Sequence, residues 1–304
     1  MRNPLGPLVL ALGGALALAG CSSAPAAVPD DSPPAPLTAS AALGEFTTLD
    51  YCSLLDVNRL RSATADQPDS SFDACHGEFF QNGVHRQVVV GPLASDSDPN
   101  IKPYDYSGAI PDGLAVAQSS FNAAASCARV VTFADGLRLN VSVTDSAGPS
   151  ASSDRCADAD ATVGGVLAAV SGKTVRHQTF ADRSWGRVDA CALLNVHDLD
   201  ATSGAGTQPA GGLSGHSCIR GKLSVKFSVE DSAPTGPSEL LGGRTSRVGA
   251  DGAFCRVITV QPAPGAAGHS EQAEVDVVDT SGSTGEAACA DARTAAAVVF
   301  AKIP

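Results

Sequence analysis

"DACALLN" at residues 189–195 repeats the pattern of "DYCSLLD" at residues 50–56. Both read Asp-x-Cys-x-Leu-Leu, and the other cysteines fall into step behind them. The first set is Cys52, Cys75, Cys127 and Cys156, and the second is Cys191, Cys218, Cys255 and Cys289. The local contexts recur in the same order. The first cysteine opens the Cys-x-Leu-Leu segment, and the second precedes an apolar alternating stretch. The third sits in "SCARVVTF" (126–133) or "FCRVITV" (254–260). The fourth opens a helix with a matched stripe. Cys156, Ala159, Val163, Val166, Leu167 and Val170 recur 133 positions later as Cys289, Ala292, Ala296, Val299, Phe300 and Ile303. That spacing is one face of an α-helix. The chain therefore contains one unit twice.

Each unit reads α-β-β-β-β-α. In the first, Asp50 is placed to cap a helix over 51–63, with Leu54, Leu55 and Leu60 on its apolar side. Hairpins follow at 78–91, turning at Asn82-Gly83, and at 127–145, turning at Asp135-Gly136. Between them, 92–116 carries four prolines and several aspartates and reads as a long surface loop. The second unit substitutes a Gly-rich segment, 232–252, for that loop. The expected fold is α+β: two tandem small domains, each an antiparallel sheet of about four strands with N- and C-terminal helices on one face, stapled by disulfides. The expected boundaries are a leader over 1–20, a tether over 21–45, a first repeat over 46–171, a junction over 172–187 and a second repeat over 188–304.

Eight cysteines in an exported chain imply disulfides rather than thiol chemistry. Pairing inside each unit leaves three connectivities per unit, and sequence does not choose among them. Sequential pairing is the expectation: Cys52–Cys75, Cys127–Cys156, Cys191–Cys218 and Cys255–Cys289. No Cys-x-x-Cys occurs, and Cys75-His76 has no partners at zinc-finger spacing, so no metal is expected.

The export assignment comes from the N-terminus. Arg2 precedes an apolar run from Leu8 to Ala19, too short to cross a bilayer. The run ends in Leu18-Ala19-Gly20-Cys21, which resembles the lipobox of bacterial lipoproteins. That resemblance implies cleavage before Cys21 and lipidation of its thiol. Residues 22–44, rich in Pro, Ala and Ser, read as a disordered tether off the membrane. The formal charge is −12, or −13 once Arg2 leaves with the leader, which argues against nucleic acid as a partner.

The lipobox, the tether, Cys-x-Leu-Leu on a first helix, a cysteine before a strand, and a fourth cysteine in Cys-x-x-Ala on a last helix together resemble an actinobacterial surface-lipoprotein domain of unknown function. More distantly they resemble the disulfide-bearing extracellular sensor domains of actinobacterial Ser/Thr kinases. The likeness covers most of 46–170 and 188–303. Many family members carry a tryptophan two residues after the second cysteine, where this chain has Gly77 and Arg220. The resemblance implies an address and a fold and no activity.

Catalytic patterns are missing from the sequence. "GLSGH" (212–216) fails the nucleophile-elbow pattern at its last position. His76, His85, His177, His197, His216 and His269 share no helical spacing and read as surface residues. Asp96, Asp98 and Asn100 alternate as in a calcium loop but lack the glycine and the closing glutamate. The expected function is non-catalytic binding of a protein or small-molecule ligand at the membrane surface, with no cofactor; the alternatives are a regulatory or sensor subunit of a membrane complex and an envelope hydrolase with a non-standard site. Tyr104 and Tyr106 in the 92–116 loop are binding candidates. So is Trp185, the single tryptophan, which is expected either to pack between the copies or to stand exposed as an anchor.

Overall fold

The computed structural model describes residues 36–60, 64–65, 67–81, 83–95, 99–120, 124–145, 152–280 and 285–304. Cys21, the leader, most of the tether, Asn82, Asp96 and Asp98 lie outside them. The first sheet contains β1 (Thr64–Ala65), β2 (Cys75–Gln81), β3 (Val84–Ala94), β4 (Ile101–Pro103), β5 (Ala115–Ser119), β6 (Ser126–Thr132) and β7 (Arg138–Asp145). Their spatial order is β1-β2-β3-β7-β6-β5-β4, with Asp69–Ser70 pairing beside β1 on β2. The second sheet contains β8 (Ala210–Gly211), β9 (Ser217–Arg220), β10 (Leu223–Glu230), β11 (Ser238–Leu241), β12 (Arg244–Asp251), β13 (Phe254–Pro262) and β14 (Ser270–Val278). Its order, β8-β9-β10-β14-β13-β12-β11, is the first order repeated strand for strand. Every pairing is antiparallel. The duplication is thus one of topology as well as of sequence.

Seven strands along each sheet, with Asp69–Ser70 as an eighth beside the first path, replace the expected four. The central strands put alternate side chains into the core: Val88, Val90, Val141 and Val143 are buried in the first sheet, as are Val225, Phe227, Val275 and Val277 in the second. The additional strands lie toward the edges, where backbone pairing continues with few apolar side chains to mark it. β12 buries Ser246 beside Val248, and β4 ends in Pro103 on an outer edge, a position that needs no ladder donor. The segment read as a long loop is therefore partly β4 and β5, and the Gly-rich segment holds β11 and β12.

Helices are few. α1 (Ala39–Leu43), α2 (Ser152–Gly172), α3 (Ala190–Leu194), α4 (Asp200–Ser203) and α5 (Cys289–Phe300) are present. α2 packs on β6 and β7, and α5 on β13 and β14, each by its predicted stripe. The expected first helix is instead two 3-10 turns, Tyr51–Leu54 and Val57–Arg59. Asp50 caps the first by accepting from Cys52 N at 3.0 Å, and Asp56 opens the second by accepting from Asn58 N at 3.1 Å. A second capping residue inside the segment restarts the chain before a longer helix can form. Leu54, Leu55 and Leu60 are buried all the same. In the second repeat Asp189 caps α3 through Cys191 N at 2.8 Å.

The end of the tether is folded. Thr38 caps α1, whose Ala39 and Leu43 lie in the first core, and Ala39 N donates to Asp135 Oδ2 at 3.0 Å. Residues 36–45, expected as the end of the tether, thus fold onto the first repeat. All four sequential disulfides are formed: Cys52–Cys75, Cys127–Cys156, Cys191–Cys218 and Cys255–Cys289. Loops of this length contribute on the order of 3 kcal/mol each by chain entropy.

The repeats join through the segment before each second cysteine. Phe72 of the first repeat is buried in the second core, in the cluster that holds Trp185. In return, Leu213 of the second repeat packs against the first core. Around Phe72, Ser71 Oγ accepts from Val229 N at 2.9 Å, and His269 Nε2 lies 2.9 Å from Asp69 Oδ1. Gly91 lets β3 pass this segment, since a Cβ there would lie 2.4 Å from Asp73 O. Truncating Phe72 removes a buried ring from a core it does not share a repeat with. Phe72→Ala is expected to lower unfolding free energy by about 3–5 kcal/mol, measured by denaturant titration, with Phe72→Leu falling between it and the parent.

Candidate functional site

A groove of about 550 Å3 opens where the two repeats and their junction meet. Thr47 and Thr48 contribute from the first repeat, Phe180 and Gly186 to Val188 from the junction, and Asp189 with the Gly211–His216 turn from the second repeat. The glycines of that turn let the backbone form the wall. Phe180, Val188 and Leu213 supply apolar surface, while Thr47, Thr48 and Asp189 supply polar groups. Asp189 is engaged as the α3 cap, and Arg187 donates to Asp182 at 2.8 Å.

The inner wall is His216, which is 1% exposed. Its Nδ1 lies 3.0 Å from Asp73 Oδ1 and its Nε2 lies 3.0 Å from Gly186 O. The Phe72 ring lies 5.0 Å from the imidazole, and Phe180 meets it edge-on at 6.0 Å. Gly186 is required in this packing, because a Cβ would come within 2.7 Å of Phe180 and 2.8 Å of Phe72. His216 is therefore a buried inter-repeat contact, not a surface histidine. The signal for it was available: Asp73 and His216 each stand two residues before the second cysteine of their repeat. Aligning the repeats on their cysteines sets an acid opposite a base.

The three aromatic candidates do not assemble into a site. Trp185 is fully buried, donating Nε1 to Pro304 O at 3.3 Å and backbone N to Glu271 Oε2 at 2.7 Å. Its ring packs near Phe227, with the Arg244 guanidinium 5.3 Å over it. It is a core residue in the same cluster as Phe72 of the first repeat, and it offers no surface anchor. Tyr104 and Tyr106 do lie together, but both turn inward onto α2. Tyr104 Oη donates to Asp160 Oδ2 at 2.7 Å, and Tyr106 Oη donates to Asp160 O at 3.3 Å. Arg129 lies 3.9 Å over the Tyr104 ring and donates Nε to Asp160 Oδ1 at 2.7 Å. Burial first, and Asp160 after it, raises both phenols above their ordinary value. The hydroxyls suited to recognition are thus used in holding 104–106 to the helix. Cys21 lies outside the described residues.

Two further concavities carry charge. Under residues 232–235, on the free face of the second sheet, a cavity of about 720 Å3 is lined by Lys226, Arg247, Arg256, Glu230 and Glu274. Arg256 spans Asp276, with Nε to Oδ1 at 3.0 Å, and Glu274 at 3.3 Å. Glu274 is pushed up to about 7, by burial foremost and then by the neighbouring Asp276. At the inter-repeat edge, His76 and His269 line a small cavity of about 110 Å3 with Asp69, Glu78, Glu230 and Asp231. Among the described residues, no group of three or more His, Cys, Asp or Glu side chains is arranged to hold a metal ion.

No protein-family model and no curated protein matches this sequence. A solved structure that does match is the crystal structure of the di-domain ARO/CYC StfQ from the steffimycin biosynthetic pathway, at 11% identity. The alignment covers 83% of this chain and 96% of that one with a TM-score of 0.17, which carries no argument about fold or activity.

Glu274 makes a pH-dependent contribution of known sign. Its proton is held more tightly in the folded state than the ordinary 4.5 allows, so its contribution is complete at acid pH and is lost as pH rises from 4.5 through about 7. Glu274→Gln is expected to leave stability at low pH nearly unchanged and to raise the melting temperature above neutrality. Thermal melts of both proteins across that range check the crossing.

Proposed function

We propose that this chain is a cell-envelope lipoprotein, anchored through Cys21 on the outer face of the cytoplasmic membrane. Its folded body acts as a non-catalytic binding module, taking a small-molecule or protein ligand in the groove between the repeats. The observation that carries the binding assignment is the make-up of that groove: both repeats and the junction line it together. Its volume falls in the range of small-ligand sites, which favour such internal boundaries. The lining fits a ligand with an apolar body and one or two hydrogen-bonding groups. The anchor assignment is supported by the lipobox-like Leu18-Ala19-Gly20-Cys21 and its apolar leader. No helix among the described residues is long and apolar enough to cross a membrane. One acyl chain alone would bind only marginally, whereas several chains hold stably.

The absence of a catalytic pattern in the sequence favours binding over hydrolysis. The buried histidine at the groove has both ring nitrogens occupied by Asp73 and Gly186, which leaves neither free to serve as a general base.

The test uses the full chain in intact cells, with a photoreactive benzophenone side chain in place of Thr47 at the groove rim. Irradiation is expected to give a discrete adduct in the membrane fraction. That adduct should disappear when Thr48→Trp fills the groove, while Cys21→Ala should abolish acyl labelling and release the protein from the membrane. An adduct indifferent to Thr48→Trp contradicts the groove, and a Cys21→Ala protein that remains acylated contradicts the anchor.

A further inference from the structure

We propose that the groove between the repeats is proton-gated: the pairs His216–Asp73 and His269–Asp69, each joining one repeat to the other, hold the seam closed while they carry their protons and loosen it when they lose them. This inference rests on the groove being the binding site, since His216 forms its inner wall.

The geometry of His216 carries the argument. Gly186 O can only accept, so Nε2 must hold a hydrogen to bond it at 3.0 Å. Nδ1 faces Asp73 Oδ1 at 3.0 Å, and that bond needs a second proton, on the ring or on the carboxyl. Without it, a nitrogen lone pair faces a carboxylate inside a packed aromatic cage. The His216 side chain is 2% exposed and that of Asp73 15%, so water cannot take over the lost bond cheaply. The groups packed against the ring are Phe72 and Asp73 from the first repeat, and Phe180 and the Gly186 carbonyl from the junction. Arg187 and Asp189 stand elsewhere on the groove wall, the one bonded to Asp182 and the other to the start of α3.

The second pair lies farther along the same seam. His269 Nε2 is 2.9 Å from Asp69 Oδ1, and Asp231 adds negative charge. His76, Glu78 and Glu230 share the adjoining cavity. The hydrogen bond that His269 donates to Asp69 is the main cause that raises its proton affinity. The sign follows from linkage. A histidine held more strongly protonated when folded contributes fully below its ordinary value of about 6.5 and loses that contribution as pH rises through the raised one. That sign is the one His269 carries; at His216 the hydrogen-bond geometry points the same way, since both of its bonds are made only while the pair holds the second proton. Asp69 and Asp73 flank Phe72, so the residue that plugs the second core is bracketed by the two proton-dependent contacts.

Hydrogen exchange of the full chain in detergent tests this without any ligand. Protection factors for 69–74 and 212–217, corrected for intrinsic rates, are expected to fall about tenfold between roughly pH 5.5 and roughly pH 8. The strands β13 and β14 serve as the internal reference, because Glu274 makes the second sheet itself pH-dependent. Asp73→Asn with Asp69→Asn supplies the decisive variant. An asparagine amide can donate to an unprotonated imidazole nitrogen, so the seam should remain closed at both pH values. Equal protection at the two pH values in the parent overturns the proposal. So does a double asparagine variant that retains the parent's pH response. A pH-dependent seam combined with no groove adduct from the Thr47 probe would uphold the gate and reject the binding site, so the two readings fail separately.

Discussion

Phe72 leaves its own repeat and completes the core of the other, and much of the molecule is arranged around that insertion. A ring 2% exposed in a foreign core couples the two units, and Leu213 and the bonds from Ser71, Asp73 and Asp69 line the same seam. Gly91 and Gly186 make space for it, the first beside the backbone of Asp73 and the second against the ring itself. Glu271 fixes the junction from below by accepting from Trp185 N, Ser184 Oγ and Gln261 Nε2. The groove is what remains open once these surfaces have met.

Within each repeat the core is thin. Large aromatics are few, and much of the buried surface is valine and alanine against a single helix. Small domains of this kind need covalent support. The bridges supply it at two places per repeat: one ties the opening turn to an inner strand, and the other ties the closing helix to the opposite side of the sheet. The first repeat also buries charge. Arg86 bonds Asp145 at 3.0 Å and Asp158 at 2.9 Å, and Arg155 completes the network at Asp145. The exposed Asp154 lies 3.8 Å from Arg86 at the rim of this network, and loss of either arginine or of Asp145 or Asp158 would leave a buried ion at a desolvation cost. Burial raises the Asp158 carboxyl, and Arg86 and Gln81 oppose that shift.

What could be read from the sequence was what repeats or alternates locally. The cysteine contexts, the two helix stripes and the valine-rich inner strands all rest on short periodicities, and all reappear in the fold. The outer strands were hidden because backbone pairing, not side-chain pattern, holds them: Ser246 is buried within β12, and β4 is three residues long with none of them buried. The tether was read too long because its composition masks Leu37, Ala39 and Leu43, whose contacts lie far along the chain around Asp135. Tyr104 and Tyr106 looked like recognition residues because sequence does not disclose Asp160 beneath them. His216 pairs with a residue 143 positions away, so only the alignment of the two repeats could have pointed to it.

The central claim is that exchange of the segments around Phe72 and Leu213 makes one cooperative body from two repeats. Differential scanning calorimetry of the full chain with its disulfides intact measures this directly. The account predicts one transition whose calorimetric and van't Hoff enthalpies agree. Two separable transitions, or a calorimetric enthalpy well above the van't Hoff value, would show repeats that unfold independently and would contradict it.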